Sequence, residues 1–313
     1  MFGCRNAFGT VLTELAKENE SIFAMTADFT KSTGLQKYSE LFPERYLSAG
    51  IAEQHMIGLA SGLATEGYQV FACSFASFIA TRCYEQVKLN LGYMQQNVKV
   101  VGIAAGLGVS HQGNTHYGLD DVSLMTTIPN MTVIVPADVA EVAKATEALS
   151  KMQGPAYLRV IGEGVVPMVY QDDYAFEIGK GIVLREGTDV LIVANGTMVA
   201  KSMAAAEQLA EQGVSAQVIN MHTVKPLDTE LLGRAVEGKK LVVTIEEGFV
   251  HGGLGGAVGE WMMEHGQMPK LIRMGVEDKF PHAGSYEYLL EQCGLTTEQI
   301  VARIKSEKLI TEN

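Results

Sequence analysis

Residues 46–55 read Tyr46-Leu47-Ser48-Ala49-Gly50-Ile51-Ala52-Glu53-Gln54-His55, and an apolar stretch rich in small residues follows. The pattern predicts that a short strand ends near Gly50 and that a helix then begins. Gly58 and Gly62 lie four residues apart, so another backbone can approach that helix face closely. Glu53 falls in the first turn, where unpaired amides and the helix dipole stabilise a carboxylate. By position alone it is an ordinary helix-start residue.

Outward from this segment, short apolar runs alternate with helical patterns along the whole chain. This alternation is typical of βαβ units and predicts an α/β fold of two doubly wound domains with mainly parallel sheets. The expected strands are 21–27, 69–74, 98–104, 131–135, 156–160, 190–194, 216–220, 241–245 and 270–274. Helices are expected at 8–18, 139–151 and 198–211, with Asp138 as the N-cap of the second.

A change of composition after the first series of strands predicts where the two domains divide. Glycine, proline and polar residues dominate from about residue 161 to residue 177, which is typical of a linker. We therefore expect a first domain at 1–165, a linker at 166–184 and a second domain at 185–313.

Composition excludes several classes of protein. The 313 residues are 47% hydrophobic and carry a formal charge of −12, without the clustered Lys and Arg that phosphate backbones require, so nucleic acid is not an expected partner. Four cysteines show no metal-ligand spacing, which favours reduced thiols in a cytoplasmic protein. No signal-peptide pattern and no apolar run of 18 residues occurs, so no membrane contact is expected.

Two downstream segments carry residues suited to a site. Phe75-Ala76-Ser77-Phe78 places two aromatic rings three residues apart, although such pairs more often belong to a core. His111 and His116 lie in a loop rich in Gly, Ser and Asn, where histidines bind substrate or transfer protons, or are simply surface residues.

Taken together and in order, these motifs resemble those of transketolase and 1-deoxyxylulose-5-phosphate synthase. The similar segments are residues 50–55 with Gly58 and Gly62, the aromatic pair, the loop Gly113-Asn114-Thr115-His116 with Asp120, and residues 128–138. The resemblance covers nearly the whole chain. It implies a pyrimidine-binding domain followed by a transketolase C-terminal domain, acting on thiamine diphosphate.

The resemblance also implies roles for individual residues. Glu53 would be the catalytic carboxylate that binds the pyrimidine of the cofactor and promotes its deprotonation, and His116 a second catalytic residue. The implied cofactor-binding residues are Asp28, Ile51, Glu53, Phe75, Phe78 and Arg82. The implied substrate-binding residues are Arg5, Ser32, His111, Gln112, His116 and Arg159, the arginines meeting the terminal anion of a sugar.

Two positions depart from ordinary transketolases. Gln112 stands where they usually have an aspartate that meets a donor hydroxyl, and Ala104 stands where they have a histidine. Substrate preference is therefore expected to differ. In the second domain, the Glu246-Glu247 and Gly252-Gly253 segment does not match a nucleotide-binding spacing, and we assign it to packing and assembly.

The element that binds metal and diphosphate in this family, Gly-Asp-Gly, does not occur in the sequence. The chain is therefore expected to contribute no metal ligand. A partner chain would hold the diphosphate and a divalent metal, Mg²⁺ or Ca²⁺, and two copies of each chain would form an α2β2 assembly acting on sugars or sugar phosphates.

Three other functions remain open at this point. One is a decarboxylating condensation like that of 1-deoxyxylulose-5-phosphate synthase, and another is the β subunit of a 2-oxo-acid dehydrogenase. The third is a non-catalytic assembly subunit that has kept only the fold. Gln54-His55 and the Thr115-His116 loop favour the transketolase branch.

Overall fold

A computed structural model of the chain describes residues 3–161, 166–170, 172–307 and 310. Its first sheet has seven strands in the order β10-β5-β6-β4-β3-β1-β2. These strands are β1 (Ile22–Thr26), β2 (Tyr46–Ser48), β3 (Gln69–Phe75), β4 (Val98–Ala105), β5 (Thr132–Ile134), β6 (Ala156–Ile161) and β10 (Thr223–Lys225). All neighbours pair in parallel except β10, which runs antiparallel to β5.

The second sheet has five strands in the order β12-β11-β8-β9-β7. They are β7 (Ile182–Arg185), β8 (Val190–Ala194), β9 (Ala216–Asn220), β11 (Leu241–Phe249) and β12 (Lys270–Val276). Only β7 is antiparallel to its neighbour in this described sheet. The expected pair of mainly parallel α/β sheets is confirmed.

Helices cover both faces of the sheets. They are α1 (Cys4–Glu18), α2 (Gln36–Leu41), α3 (Glu53–Thr65), α4 (Ala76–Thr81), α5 (Tyr84–Gln86), α6 (Asp121–Thr126), α7 (Val139–Lys151), α8 (Met198–Glu211), α9 (Thr229–Val236), α10 (Gly253–Glu264), α11 (Tyr286–Gln292) and α12 (Thr297–Lys305). A π-helical segment, Val87–Tyr93, follows α5, and short 3₁₀ turns lie at Pro43–Arg45 and Ser110–Gln112. Among the described helices, none is long and apolar enough to cross a bilayer.

Side chains alternate between the two faces of the buried strands, and this explains why the core has two layers. On β3, Phe71 and Cys73 enter one apolar cluster while Val70 and Ala72 enter the other, because successive side chains point to opposite faces of a sheet. Helix α1 packs into the first cluster and α3 into the second. Each sheet is thus sandwiched between helices.

Helix α7 begins after Asp138, which is its N-cap as predicted. The Asp138 carboxylate accepts a hydrogen bond from the Glu141 amide at 2.9 Å, which satisfies one of the free amides of the first turn. All nine expected strands and all three expected helices are present, with ends that differ by at most a few residues.

The strand β10 was not predicted, and it joins the two domains. It belongs by sequence to the second domain but extends the sheet of the first, and Val135 donates to the carbonyl of His222 at 2.7 Å. The ammonium of Lys225 donates to the carbonyls of Thr126 (2.8 Å) and Ile128 (2.6 Å). The residues at which we placed the end of the first domain, 162–165, lie outside the described part of the chain.

Candidate active site

An aromatic cluster lies where the strands of the first sheet end. The rings of Phe75 and Phe78 are 5.6 Å apart and nearly parallel, and the imidazole of His116 meets their edges at 6.0 and 5.2 Å. Phe75 ends β3, Phe78 lies in the first turn of α4, and His116 comes from the loop after β4. The fold therefore brings together three residues that the sequence placed in two separate motifs.

Phe29 completes this cluster, and we did not select it from the sequence. Its ring stacks on Phe75 with centroids 4.6 Å apart and an angle of 15° between planes. It follows Asp28 directly after β1, so its position at the carboxyl end of a parallel strand was the available signal. The hydroxyl of Tyr46 holds this turn, at 2.9 Å from Thr26 Oγ1 and 2.5 Å from Thr30 Oγ1.

Glu53 is the first residue of α3, and its side chain is only 4% exposed. Arg82 Nη1 lies 3.3 and 3.4 Å from the two carboxylate oxygens, which is long for a charge-assisted hydrogen bond. The same guanidinium covers the ring of Phe78 at 3.8 Å. Within the described residues no other hydrogen bond reaches this carboxylate, so it keeps capacity to accept one from a ligand.

Asp28 and Ile51 lie on the same edge of the sheet, and both are exposed. Asp28 adopts the left-handed region at φ 64°, and Ile51 is 75% exposed just before α3. An apolar side chain so open to water, beside a buried carboxylate, is suited to contact a ligand or another chain. Their implied roles in cofactor binding stay predictions.

The loop after β4 carries His111 and His116, and the structure gives a hydrogen bond for His116. His116 Nδ1 lies 2.9 Å from Thr115 Oγ1, which leaves Nε2 for another partner. Tyr117 braces the loop by donating to the carbonyl of Ser110 at 2.5 Å. His111 and Gln112 are exposed, so they are accessible to a substrate.

Arg5 and Ser32 meet although they are 27 residues apart. Arg5 Nη1 donates to the Ser32 carbonyl at 3.2 Å. Helix α1 reaches this turn closely because Gly9 faces Gly34, where a Cβ on Gly9 would lie 2.0 Å from the Gly34 carbonyl oxygen. The fold thus brings Arg5 and Ser32 together, and their role in binding substrate stays a prediction.

Arg159, expected to contact a substrate anion, is largely occupied by contacts within the protein, and its role towards a substrate stays a prediction. Its side chain is 8% exposed, and Nε donates to Asp121 Oδ2 at 2.8 Å. Nη2 donates to the carbonyls of Gly118 (2.7 Å) and Glu247 (2.8 Å). The Asp121 carboxylate raises the pKa of the guanidinium further above its usual range, against the effect of burial. Arg159 therefore joins the two domains.

All four cysteines are buried and free, and burial together with the Glu53 carboxylate raises the pKa of Cys83 to about 12. That thiol is protonated at neutral pH and a poor nucleophile. Among the residues that the structure describes, no group of three or more His, Cys, Asp or Glu side chains could hold a metal ion.

Comparison with known proteins identifies the family. The description "Transketolase, pyrimidine binding domain" matches residues 1–161, and "Transketolase, C-terminal domain" matches residues 179–300. The chain belongs to the transketolase family. The expected order, a pyrimidine-binding domain followed by a C-terminal domain, is confirmed.

Split members of the transketolase family are similar over almost their entire length. The 6-deoxy-6-sulfo-D-fructose transketolase subunit SqwH of Clostridium sp. (strain MSTE9) is 40% identical over 297 residues, which are 95% of this chain and 92% of that protein. A subunit of the apulose-4-phosphate transketolase of Phocaeicola vulgatus is 36% identical over 301 residues, 96% of each.

A solved structure described as "Split gene transketolase, inactive beta4 tetramer" superimposes with a TM-score of 0.91. It is 39% identical, and the match covers 99% of both chains. The chain is therefore a subunit of the split-transketolase type.

Proposed function

We propose that this chain is one subunit of a two-chain, thiamine-diphosphate-dependent transketolase that transfers a two-carbon ketol unit from a ketose, often phosphorylated, to an aldose. The arrangement of Glu53, Arg82, Phe78 and His116 around one aromatic cluster carries the proposal. A buried carboxylate with spare acceptor capacity beside two aromatic faces fits an aminopyrimidine ring, which offers a polar nitrogen and a flat surface. Bound thiamine diphosphate supplies a nucleophilic carbon for such chemistry.

Each residue of the cluster has a separate task in this proposal. Glu53 binds a ring nitrogen through its carboxylate and shares a proton with it. Phe75 and Phe78 bury the faces of the ring and exclude water. Arg82 balances the carboxylate charge, and its guanidinium keeps the Phe78 ring in place. His116, fixed through Nδ1 by Thr115, directs Nε2 towards the substrate.

The terminal group of the sugar is the anion-binding part of the proposal. Arg5 beside Ser32 would meet a phosphate or sulfonate, since a guanidinium presents several donors in a fixed plane. Two relatives bear names that refer to sugars with such groups, a 6-sulfo-fructose and apulose 4-phosphate. Exposed Gln112, in place of an aspartate, would contact the sugar hydroxyls and alter the preferred donor.

A partner chain would hold the cofactor diphosphate and the divalent metal, since the sequence lacks the Gly-Asp-Gly element. The tetramer of a single chain type in the similar solved structure is described as inactive, which supports this requirement. The simplest assembly is α2β2, with each active site between unlike chains.

Reconstitution with the partner chain tests the proposal. We expect ketol transfer from phosphate- or sulfonate-terminated ketoses by the mixture, and none by this chain alone at low concentration. Release of carbon dioxide from pyruvate would instead assign the decarboxylating reaction of the synthase type. Full ketol transfer by the chain alone would refute the two-chain proposal.

Glu53→Gln tests the catalytic assignment. Because its pair with half-exposed Arg82 is long, folding stability should change by no more than about 1 kcal/mol. Turnover should fall by roughly 10²–10⁴-fold, the usual effect of losing a proton-transfer group. Glu66→Gln, an exposed carboxylate just after the same helix, is the matched control. Wild-type turnover by Glu53→Gln would remove Glu53 from the mechanism.

A further inference from the structure

The second sheet has a crevice where ligands usually bind in open parallel sheets. Such sites lie at the carboxyl ends of the strands, between neighbours whose connections leave in opposite directions. Here that point falls between β8 and β11, because β8 connects through α8 to β9 on its other side. Thr197 follows β8 at this edge, and Glu247 lies near the end of β11.

A segment of the first domain reaches this crevice. Glu247 Oε1 accepts a hydrogen bond from the Leu107 amide at 2.6 Å, and Oε2 accepts from the hydroxyls of Thr197 and of Tyr286, the latter at 2.6 Å. The glutamate is 2% exposed. One buried carboxylate therefore accepts from three separate segments, one of which begins the loop that carries His111, Gln112 and His116.

Gly106 shows how closely the two domains meet. Its φ is +70°, in the region that favours glycine, and a Cβ there would lie 2.2 Å from Glu247 Oε1. The approach therefore needs a residue without a side chain at this point. The backbone of the loop at Gly106 thus allows the close contact between the two domains.

The same loop is held by the second domain at two further points. Asn114 Nδ2 donates to the Pro281 carbonyl at 2.7 Å, and the Phe249 amide donates to the Leu119 carbonyl at 2.9 Å. The beginning and middle of the loop, and the residue that directly follows it, are thus each bonded to the second domain. His116 lies in sequence between the last two of these contacts.

We propose that Glu247, with Tyr286, is a positioning residue that fixes the 106–118 loop from the ligand crevice of the second domain and so sets the placement of its substrate-facing residues. The effect on catalysis rests on the proposed function, whereas the effect on the loop does not. The second domain would then act in the reaction without contacting the reacting atoms.

Amide hydrogen exchange on the whole chain tests the effect on the loop. Glu247→Ala should speed exchange of the 106–118 amides by about tenfold or more, because a buried charge-assisted hydrogen bond is lost. Glu247→Gln should retain protection, since its amide oxygen can accept from Leu107 and its NH₂ can donate to the two hydroxyls. Glu246→Ala is the matched control, as that buried carboxylate accepts only from the amides of Leu254 and Gly255 in the described structure.

The two neighbouring glutamates should give separate results. Glu246→Ala should loosen the start of α10 and leave the loop protected, while Glu247→Ala does the reverse. Should Glu247→Ala fail to fold, Tyr286→Phe should still raise exchange in the loop alone. Loop exchange within about twofold of wild type, or an even rise across both sheets in the variant that folds, would overturn the proposal.

Kinetics of the reconstituted complex distinguish an effect on the position of the loop from an effect on the whole active site. With Glu247→Ala, kcat/KM for the ketose should fall about tenfold, as expected for losing one such hydrogen bond, with the apparent affinity for thiamine diphosphate unchanged. An equal loss of cofactor affinity would contradict a role confined to the loop. If the wild-type complex transfers no ketol unit, the proposed function fails, and the exchange experiment still decides the inference.

Discussion

Removing Arg159 should destabilise the protein. Arg159→Met keeps most of the side-chain volume but deletes the three hydrogen bonds to Asp121, Gly118 and Glu247. Asp121 is fully buried and would keep only the Tyr157 hydroxyl, at 2.7 Å. Leaving one charge of a buried pair without its partner costs about 3–5 kcal/mol. We expect a loss of unfolding free energy of that size.

A double-mutant cycle makes the prediction quantitative. Asp121→Asn should cost a similar amount, while the double variant should cost less than the sum by about 1 kcal/mol or more, because no unpaired charge remains. Urea unfolding followed by circular dichroism supplies the four free energies. Arg234→Met, which breaks an exposed pair with Glu230 at 2.7 Å, is the control and should cost no more than about 0.5 kcal/mol. Additive losses, or a stable Arg159→Met variant with a raised KM for phosphorylated sugars, would refute this reasoning.

Two further predictions concern pH and packing. Burial lowers the pKa of His222 to about 4, so between pH 4 and 6.5 the unfolded chain binds more protons, and unfolding free energy should fall as pH falls, by about 1.4 kcal/mol per unit. His222→Phe keeps a ring against Phe176 and should lose this dependence in urea titrations at several pH values. If the unfolding free energies of the wild type and the variant changed equally with pH, the prediction would be contradicted. Gly102→Ala should lose about 1–3 kcal/mol of unfolding free energy in urea, because its Cβ would lie 2.1 Å from the buried Tyr157 hydroxyl. Gly256→Ala, with open space in α10, should be neutral or gain up to about 1 kcal/mol, and equal effects of the two would be inconsistent with this account.

The sequence predicted most of the parallel strands well because the central ones are short apolar runs buried on both faces. The segment 190–194 was expected as a strand, and β8 is Val190–Ala194, every residue of which is buried. By contrast, β10 has three residues, too few to show a period, and pairs with a strand of the other domain. Its formation depends on tertiary contact, which no local pattern contains.

The candidate site, too, could be predicted only in part from the sequence. Glu53, Phe78 and His116 were selected from ordered motifs, and the fold brings them into one cluster. Arg159 was assigned to the substrate because the resemblance to the family implies an arginine that meets a sugar anion at this position. Its actual partner, Asp121, is 38 residues away in sequence, and only the packed structure reveals that pair.

The polar contacts between the domains explain why the second domain accompanies the first. Glu141 of α7 is fully buried, and burial raises the pKa of its carboxyl group to about 7 even though Asn220 of β9 donates to both of its oxygens at 2.9 Å. Arg159 and Glu247 each make one further hydrogen bond across the same boundary, Arg159 to the Glu247 carbonyl and the Glu247 carboxylate from the Leu107 amide. Separating the domains would expose these groups and break these hydrogen bonds, at a cost of several kcal/mol for buried charges. The second domain is therefore part of the structure that holds the candidate site, although the residues that we propose to face the cofactor come from the first.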